Sequence, residues 1–118
     1  MTVTSGSNLE ISLDQVGDHA IVRPSGRINI DSSPDLRDCL LAILAAEPVP
    51  RAITVDLASV PYIETSGIAT LIEALRIARH HQTTFCVQGL SGPVLRLFEV
   101  TGTLTLFEAG NCGQKASS

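Results

Sequence analysis

The segment Leu9-Glu10-Ile11-Ser12-Leu13-Asp14-Gln15-Val16 alternates apolar and polar residues with period two, the pattern of a strand with one buried face. Gly17-Asp18 supplies a turn, and His19-Ala20-Ile21-Val22-Arg23 returns as the second arm of a hairpin. Pro24 to Gly26 interrupts that arm, after which Ile28-Asn29-Ile30 carries an extended edge into the next loop. The period then changes. Ser32-Ser33 offers a hydroxyl cap, Pro34 gives up no useful N–H in a first helical turn, and Asp35 faces the positive end of a helix. A helix is predicted over residues 34–46, with Leu36, Leu40, Ile43 and Leu44 as its apolar stripe and Pro48 and Pro50 stopping it.

Arg51-Ala52-Ile53-Thr54-Val55-Asp56-Leu57 reads as a buried central strand. Val60-Pro61-Tyr62-Ile63 leads from it to a second helix that begins near Thr65 or Ser66 and turns Ile68, Leu71, Ile72 and Leu75 toward the core. Thr84-Phe85-Cys86-Val87 is another strand. Ser91-Gly92-Pro93 caps a third helix that runs through Val100 and stops at Gly102, and Leu104-Thr105-Leu106-Phe107 completes the pattern as a last strand. The order β-β-α-β-α-β-α-β implies a single α/β domain over residues 9–107, a mixed β-sheet packed by helices through right-handed crossovers. Residues 1–8 and 111–118 are small and polar and are expected to be mobile tails.

Composition narrows the function. The 118 residues suit one core, and with aromatics at 3% that core is built from Leu, Ile, Val and Ala. A net charge of -4, without a basic stripe, speaks against a nucleic-acid partner. The first residues have neither a basic nor an apolar leader region, and no apolar run reaches membrane-spanning length, so the expectation is a cytoplasmic protein without direct membrane insertion. Cys39, Cys86 and Cys112 are odd in number and widely spaced, which reads as free thiols in a reducing compartment, with Cys39 and Cys86 as packing residues. His80 and His81 are adjacent on a helix and project in different directions, so no metal site is expected, and no cofactor motif is present.

The most informative stretch is Val55-Asp56-Leu57-Ala58-Ser59-Val60-Pro61-Tyr62-Ile63-Glu64-Thr65-Ser66-Gly67-Ile68: a strand, a short loop, then acid-hydroxyl-hydroxyl-glycine opening an amphipathic helix. It resembles the STAS domain of bacterial anti-sigma-factor antagonists, whose pattern at this place is aspartate, serine, serine or threonine, glycine and an apolar helix. Gly26-Arg27-Ile28-Asn29 is similar to that family's turn before its first helix, and Leu95-Arg96-Leu97-Phe98-Glu99-Val100-Thr101-Gly102 to its third helix. This chain departs from the commonest pattern with Glu64 in place of aspartate and Thr65 in place of serine.

The resemblance implies a protein-binding module, not an enzyme. In those antagonists an anti-sigma factor that is also a serine/threonine protein kinase phosphorylates the first hydroxyl after the acid, which blocks binding; a phosphatase reverses it. Carried over by position, the acceptor is Thr65, with Ser66 ranked second and read as a cap and contact residue. Glu64, Thr65, Ser66 and Gly67 are the partner-binding positions, Gly67 permitting close backbone approach. Asp56 is the candidate acceptor for loop N–H groups near Thr65. The family also offers an alternative, the STAS subunit that supports the ATPase of bacterial lipid-transport ABC systems. A hydrolase with Thr65 or Ser66 as nucleophile lacks both the G-x-S-x-G elbow and an evident base, His19 lying in the hairpin and His80 and His81 at a helix end.

Overall fold

The computed structural model describes residues 2–4 and 9–108. In chain order the elements are β1 (Thr2–Thr4), β2 (Glu10–Val16), β3 (His19–Ser25), α1 (Ser33–Leu44), β4 (Ala52–Asp56), α2 (Thr65–His80), β5 (Thr84–Gln88), α3 (Gly92–Val100) and α4 (Leu104–Glu108). The strands form one sheet in the order β1-β2-β3-β4-β5. The β1–β2 and β2–β3 pairs are antiparallel, and β3–β4 and β4–β5 are parallel, so the sheet is mixed as expected.

The hairpin closes where the sequence places it. Val16 pairs with His19 across the two-residue turn, and Gly17 at φ 62 adopts the left-handed conformation that a tight β-turn needs. The two parallel connections, through α1 and through α2, step the same way along the sheet. Right-handed crossovers of that kind bring both helices to one face. The covered face carries Ile11, Ala20, Val22, Ile53, Val55 and Phe85, all buried. The other face carries Ser12, Asp14, Arg23, Thr54 and Asp56 and is stitched by polar contacts: Arg23 pairs with Asp14 and, at 3.7 Å, with Asp56, and His19 hydrogen-bonds to Thr54 at 2.7 Å. An antiparallel start to the sheet suits this division into one packed and one polar face.

Helix α1 buries Leu36, Leu40 and Leu44 at four-residue spacing, and α2 buries Ile68, Leu71, Ala74, Leu75 and Ala78. Ile72 stands at the edge of the α2 stripe and is half-buried. The exposed flanks of the two helices are joined by Arg37, whose guanidinium donates two hydrogen bonds to the Glu73 carboxylate at 2.8 and 2.9 Å. That pairing raises the Arg37 pKa and holds the Glu73 carboxyl below the ordinary carboxylate value.

Several expectations are corrected. Leu104-Thr105-Leu106-Phe107 is helix α4, not a last strand. A strand would turn Leu104 and Leu106 to one face and Phe107 to the other. The helix instead brings Leu104 and Phe107, three residues apart, toward the core; Phe107 packs against Phe98 with ring centroids 5.7 Å apart and against Phe85 at 6.4 Å, while Leu106 is 38% exposed. Burial of one aromatic ring outweighs a four-residue alternation. Within the segment read as an N-terminal tail, Thr2–Thr4 pair with β2 as a short edge strand. The expectation for residues 111–118 lies outside the described residues.

Cys39 is a free, half-buried thiol whose pKa burial pushes up, but Cys86 is disulfide-bonded, so the reading of three free thiols does not hold. Ser32 and Ser91 occupy the N-cap positions of α1 and α3 without capping hydrogen bonds from their side chains. The Ser32 hydroxyl is engaged by the preceding loop: it donates to the Arg27 carbonyl at 2.8 Å and accepts the Asn29 N–H at 2.9 Å.

Candidate functional site

The loop between β4 and α2 is held by backbone hydrogen bonds to the segment that follows β3. Gly26 N–H donates to the Ser59 carbonyl at 3.1 Å, Ile28 N–H to the Tyr62 carbonyl at 3.0 Å, and Glu64 N–H to the Ile28 carbonyl at 2.8 Å. Isolated parallel bridges at Ser25–Ser59 and Ile28–Ile63 extend the β3–β4 pairing past the end of the sheet. The 26–29 segment is itself folded back by Asn29, whose Oδ1 accepts the N–H groups of Asp31 and Ser32 at 2.9 and 3.0 Å. Two distant stretches of sequence therefore fix the point at which α2 begins.

Glu64 is the N-cap residue of α2, extended at φ -101 and ψ 171, and its side chain makes no capping bond. Thr65 is the first helical residue and is exposed. The next hydroxyl differs: Ser66 Oγ is buried and has no hydrogen-bond partner among the described residues. Its expected role as a cap is not what the geometry shows.

Gly67 is buried beneath the first turn of α2. A Cβ there would stand 2.5 Å from Ile28 Cγ2 and 2.7 Å from Ile63 Cγ1. The close approach it permits within the domain is to the two isoleucines that anchor the loop. Asp56 does support the β4–α2 loop, at its start and not beside Thr65: Oδ1 accepts the Ala58 N–H at 3.0 Å, and Oδ2 faces Arg23. Gly89 makes room for that carboxylate, since a Cβ at this position would lie 2.5 Å from Asp56 Oδ1.

Beside Thr65 a groove of about 440 Å³ opens between the start of α2 and the outer side of α3. Tyr62, Glu64 and Thr65 form one wall, and Arg96, Leu97 and Val100 form the other. Its mouth carries two exposed apolar side chains, Tyr62 at 43% and Val100 at 70%. The sequence places Arg96 and Val100 on the third helix but does not link them to Thr65. Their spacing, four residues apart on one helical face, was the available signal.

No imidazole stands beside Thr65. His80 and His81 lie at the other end of the 16-residue α2, about 22 Å away at 1.5 Å per residue, and His19 is bonded to Thr54 at the far end of the strands. Among the described residues no group of three or more His, Cys, Asp or Glu side chains could hold a metal ion, and no helix is long and apolar enough to cross a membrane.

A mixed sheet with helices on one face, and an exposed hydroxyl at the start of the helix that follows the interior strand β4, defines an α/β module whose distinctive surface is a helix-start groove. The chain belongs to the STAS domain family, which it matches over residues 10–115. It is 28% identical over 94 residues to the anti-sigma-B factor antagonist of Listeria monocytogenes, covering 80% of this chain and 81% of that one. Its fold is similar to that of an anti-sigma factor antagonist from Mycobacterium paratuberculosis, with a TM-score of 0.77 at 20% identity over 89% of this chain and 87% of the other. It is also similar to the anti-sigma factor antagonist SpoIIAA, solved in two states. The unphosphorylated form aligns with a TM-score of 0.68 at 16% identity over 79% of this chain and 81% of the other, and the phosphorylated Bacillus form with 0.64 at 13% over 79% and 84%.

Proposed function

We propose that this domain is a phosphorylation-switched anti-sigma factor antagonist. In its unmodified form the groove at the start of α2 binds an anti-sigma factor, which thereby releases its sigma factor. The same partner acts as a serine/threonine kinase. Attack of Thr65 Oγ1 on the γ-phosphorus of ATP forms the phosphoester, releases ADP and gives up the hydroxyl proton; a phosphatase restores the hydroxyl by hydrolysis.

The observation that carries this reading is the contrast between adjacent hydroxyls: Thr65 is exposed on the wall of the groove, whereas Ser66 Oγ is buried. In this conformation the Thr65 hydroxyl is the one open to an ATP γ-phosphate. The relatives named as anti-sigma factor antagonists, and the existence of a phosphorylated SpoIIAA, support the same reading. A phosphate adds roughly -1.5 to -2 charge at pH 7, which a helix N-terminus tolerates, so the fold survives and the effect falls on the interface.

The test is incubation with the cognate kinase and ATP followed by phosphopeptide mapping. One phosphate on Thr65 is expected; modification of Ser66, or none with a kinase proven active, would sink the assignment.

A further inference from the structure

We propose that Arg96 of α3 is the counter-cation of a phosphate carried on Thr65, so that modification at the start of α2 is transmitted to α3. The proposal rests on the reading of Thr65 as the acceptor and adds to it the group that receives the phosphate.

Thr65 and Arg96 belong to different helices, 31 residues apart in sequence, and line one groove. The charged side chains of that groove are Glu64 and Arg96, and Tyr62 is its other titratable group. Arg96 is exposed and makes no ion pair among the described residues, in contrast to Arg23, Arg37 and Arg51, which face Asp14, Glu73 and Asp18. Arg76 and Arg79, further along α2, do not line the groove.

The unmodified groove thus holds one carboxylate and one guanidinium and is close to neutral. A phosphothreonine changes that balance to strongly negative. Glu64 cannot relieve it, because it carries the same sign. Arg96 can, and its planar fork matches two phosphate oxygens at once, which a lysine ammonium would not.

The pairing has a structural consequence. Drawn across to the phosphate, the Arg96 side chain spans the groove between Leu97 and Tyr62 and fills space that is open in the unmodified protein. A partner then loses the unpaired guanidinium and access to the apolar wall around Val100. Arg96 becomes a positioning residue of the switch, converting a local charge into a closed surface.

The test installs phosphothreonine at position 65 during translation with an expanded genetic code, so that no kinase is needed. The second ionisation of the phosphate is followed by ³¹P NMR titration in the parent, Arg96→Ala, Arg96→Lys and Arg76→Ala backgrounds. A cation in contact lowers that ionisation, and in the parent it is expected about half a pH unit or more below its position in Arg96→Ala. Arg96→Lys is expected between the two, and Arg76→Ala with the parent. Superimposable titrations for the parent and Arg96→Ala, both shown folded by circular dichroism, would overturn the pairing while leaving the Thr65 assignment intact. That assignment stands or falls separately, on phosphopeptide mapping of the kinase-treated protein.

Discussion

Gly67 and Ile28 touch so closely that a single methyl group on the glycine would sit 2.5 Å from the isoleucine Cγ2. The Ile28 carbonyl also accepts the Glu64 N–H, so this contact and that hydrogen bond together hold the first turn of α2 against the 26–29 segment. Gly67→Ala is therefore expected to cost about 1–3 kcal/mol through overpacking. Gly17→Ala is the comparison, because its Cβ meets nothing within 4 Å and only its positive φ is strained, at about 1–2 kcal/mol. Urea titration of both variants decides; a Gly67→Ala variant as stable as the parent would mean that the helix start is free to move.

The buried face of α2 supplies a second expectation. Leu71→Ala or Leu75→Ala should lose about 2–5 kcal/mol, since both side chains are at most 3% exposed beneath the helix. Arg76 is exposed, and Arg76→Ala should cost little. Equal losses in denaturant titrations would show that the helix face is misassigned.

The last helix can be tested by the same logic. Phe107→Ala removes the ring packed between Phe98 and Phe85 and should cost about 3–5 kcal/mol, whereas Leu106→Ala should stay within about 0.5 kcal/mol. A β-strand over the same residues would group Leu106 with Leu104, so a large loss at Leu106 would favour the strand.

The Arg37–Glu73 pair predicts a pH dependence of definite sign. The guanidinium holds the Glu73 carboxyl below its ordinary pKa, so the folded state is favoured above the unfolded value of about 4.3 and loses that advantage as pH falls through the depressed folded value. Both side chains are over two-fifths exposed, so water and salt screen the pair and the effect is small. Glu73→Gln should melt slightly below the parent at pH 7, with a gap that narrows toward pH 3 and in 1 M salt. A gap independent of both would exclude an ionic origin.

At Thr65, fold and function separate. Thr65→Asp places a carboxylate at the positive end of α2, worth about 0.3–1 kcal/mol, while repulsion from Glu64 opposes it, and melting should change little. At an interface the same carboxylate must shed water and competes for Arg96, a penalty that commonly reaches a few kcal/mol. Each 1.4 kcal/mol is about tenfold in affinity, so binding of the anti-sigma factor should fall by roughly tenfold or more. Thr65→Ala should bind nearly as the parent does and accept no phosphate. If Thr65→Asp binds as tightly as the parent in calorimetric titration, charge at this position is not the switch.

The sequence by itself determined the elements whose periodicity is long enough to oppose any alternative. The alternation from Leu9 to Asp14 that leads through β2, the four-residue leucine spacing of α1 and the stripe of α2 each commit several side chains to one face, and Thr65 is the first residue of α2, within the start expected for it. Short segments were decided by packing. Leu104 to Phe107 carries too few residues for its period to matter against the burial of one aromatic ring, and Thr2–Thr4 have no pattern of their own, only an open edge of β2 to pair with. The site shows the same division. Acid, hydroxyl, hydroxyl and glycine could be named from their order, but order does not say which hydroxyl faces water. The tertiary structure buries Ser66 Oγ, exposes Thr65, turns Gly67 inward onto Ile28 and Ile63, and brings Arg96 into the same groove, because α3 and the 26–29 segment reach this point only through the topology of the sheet.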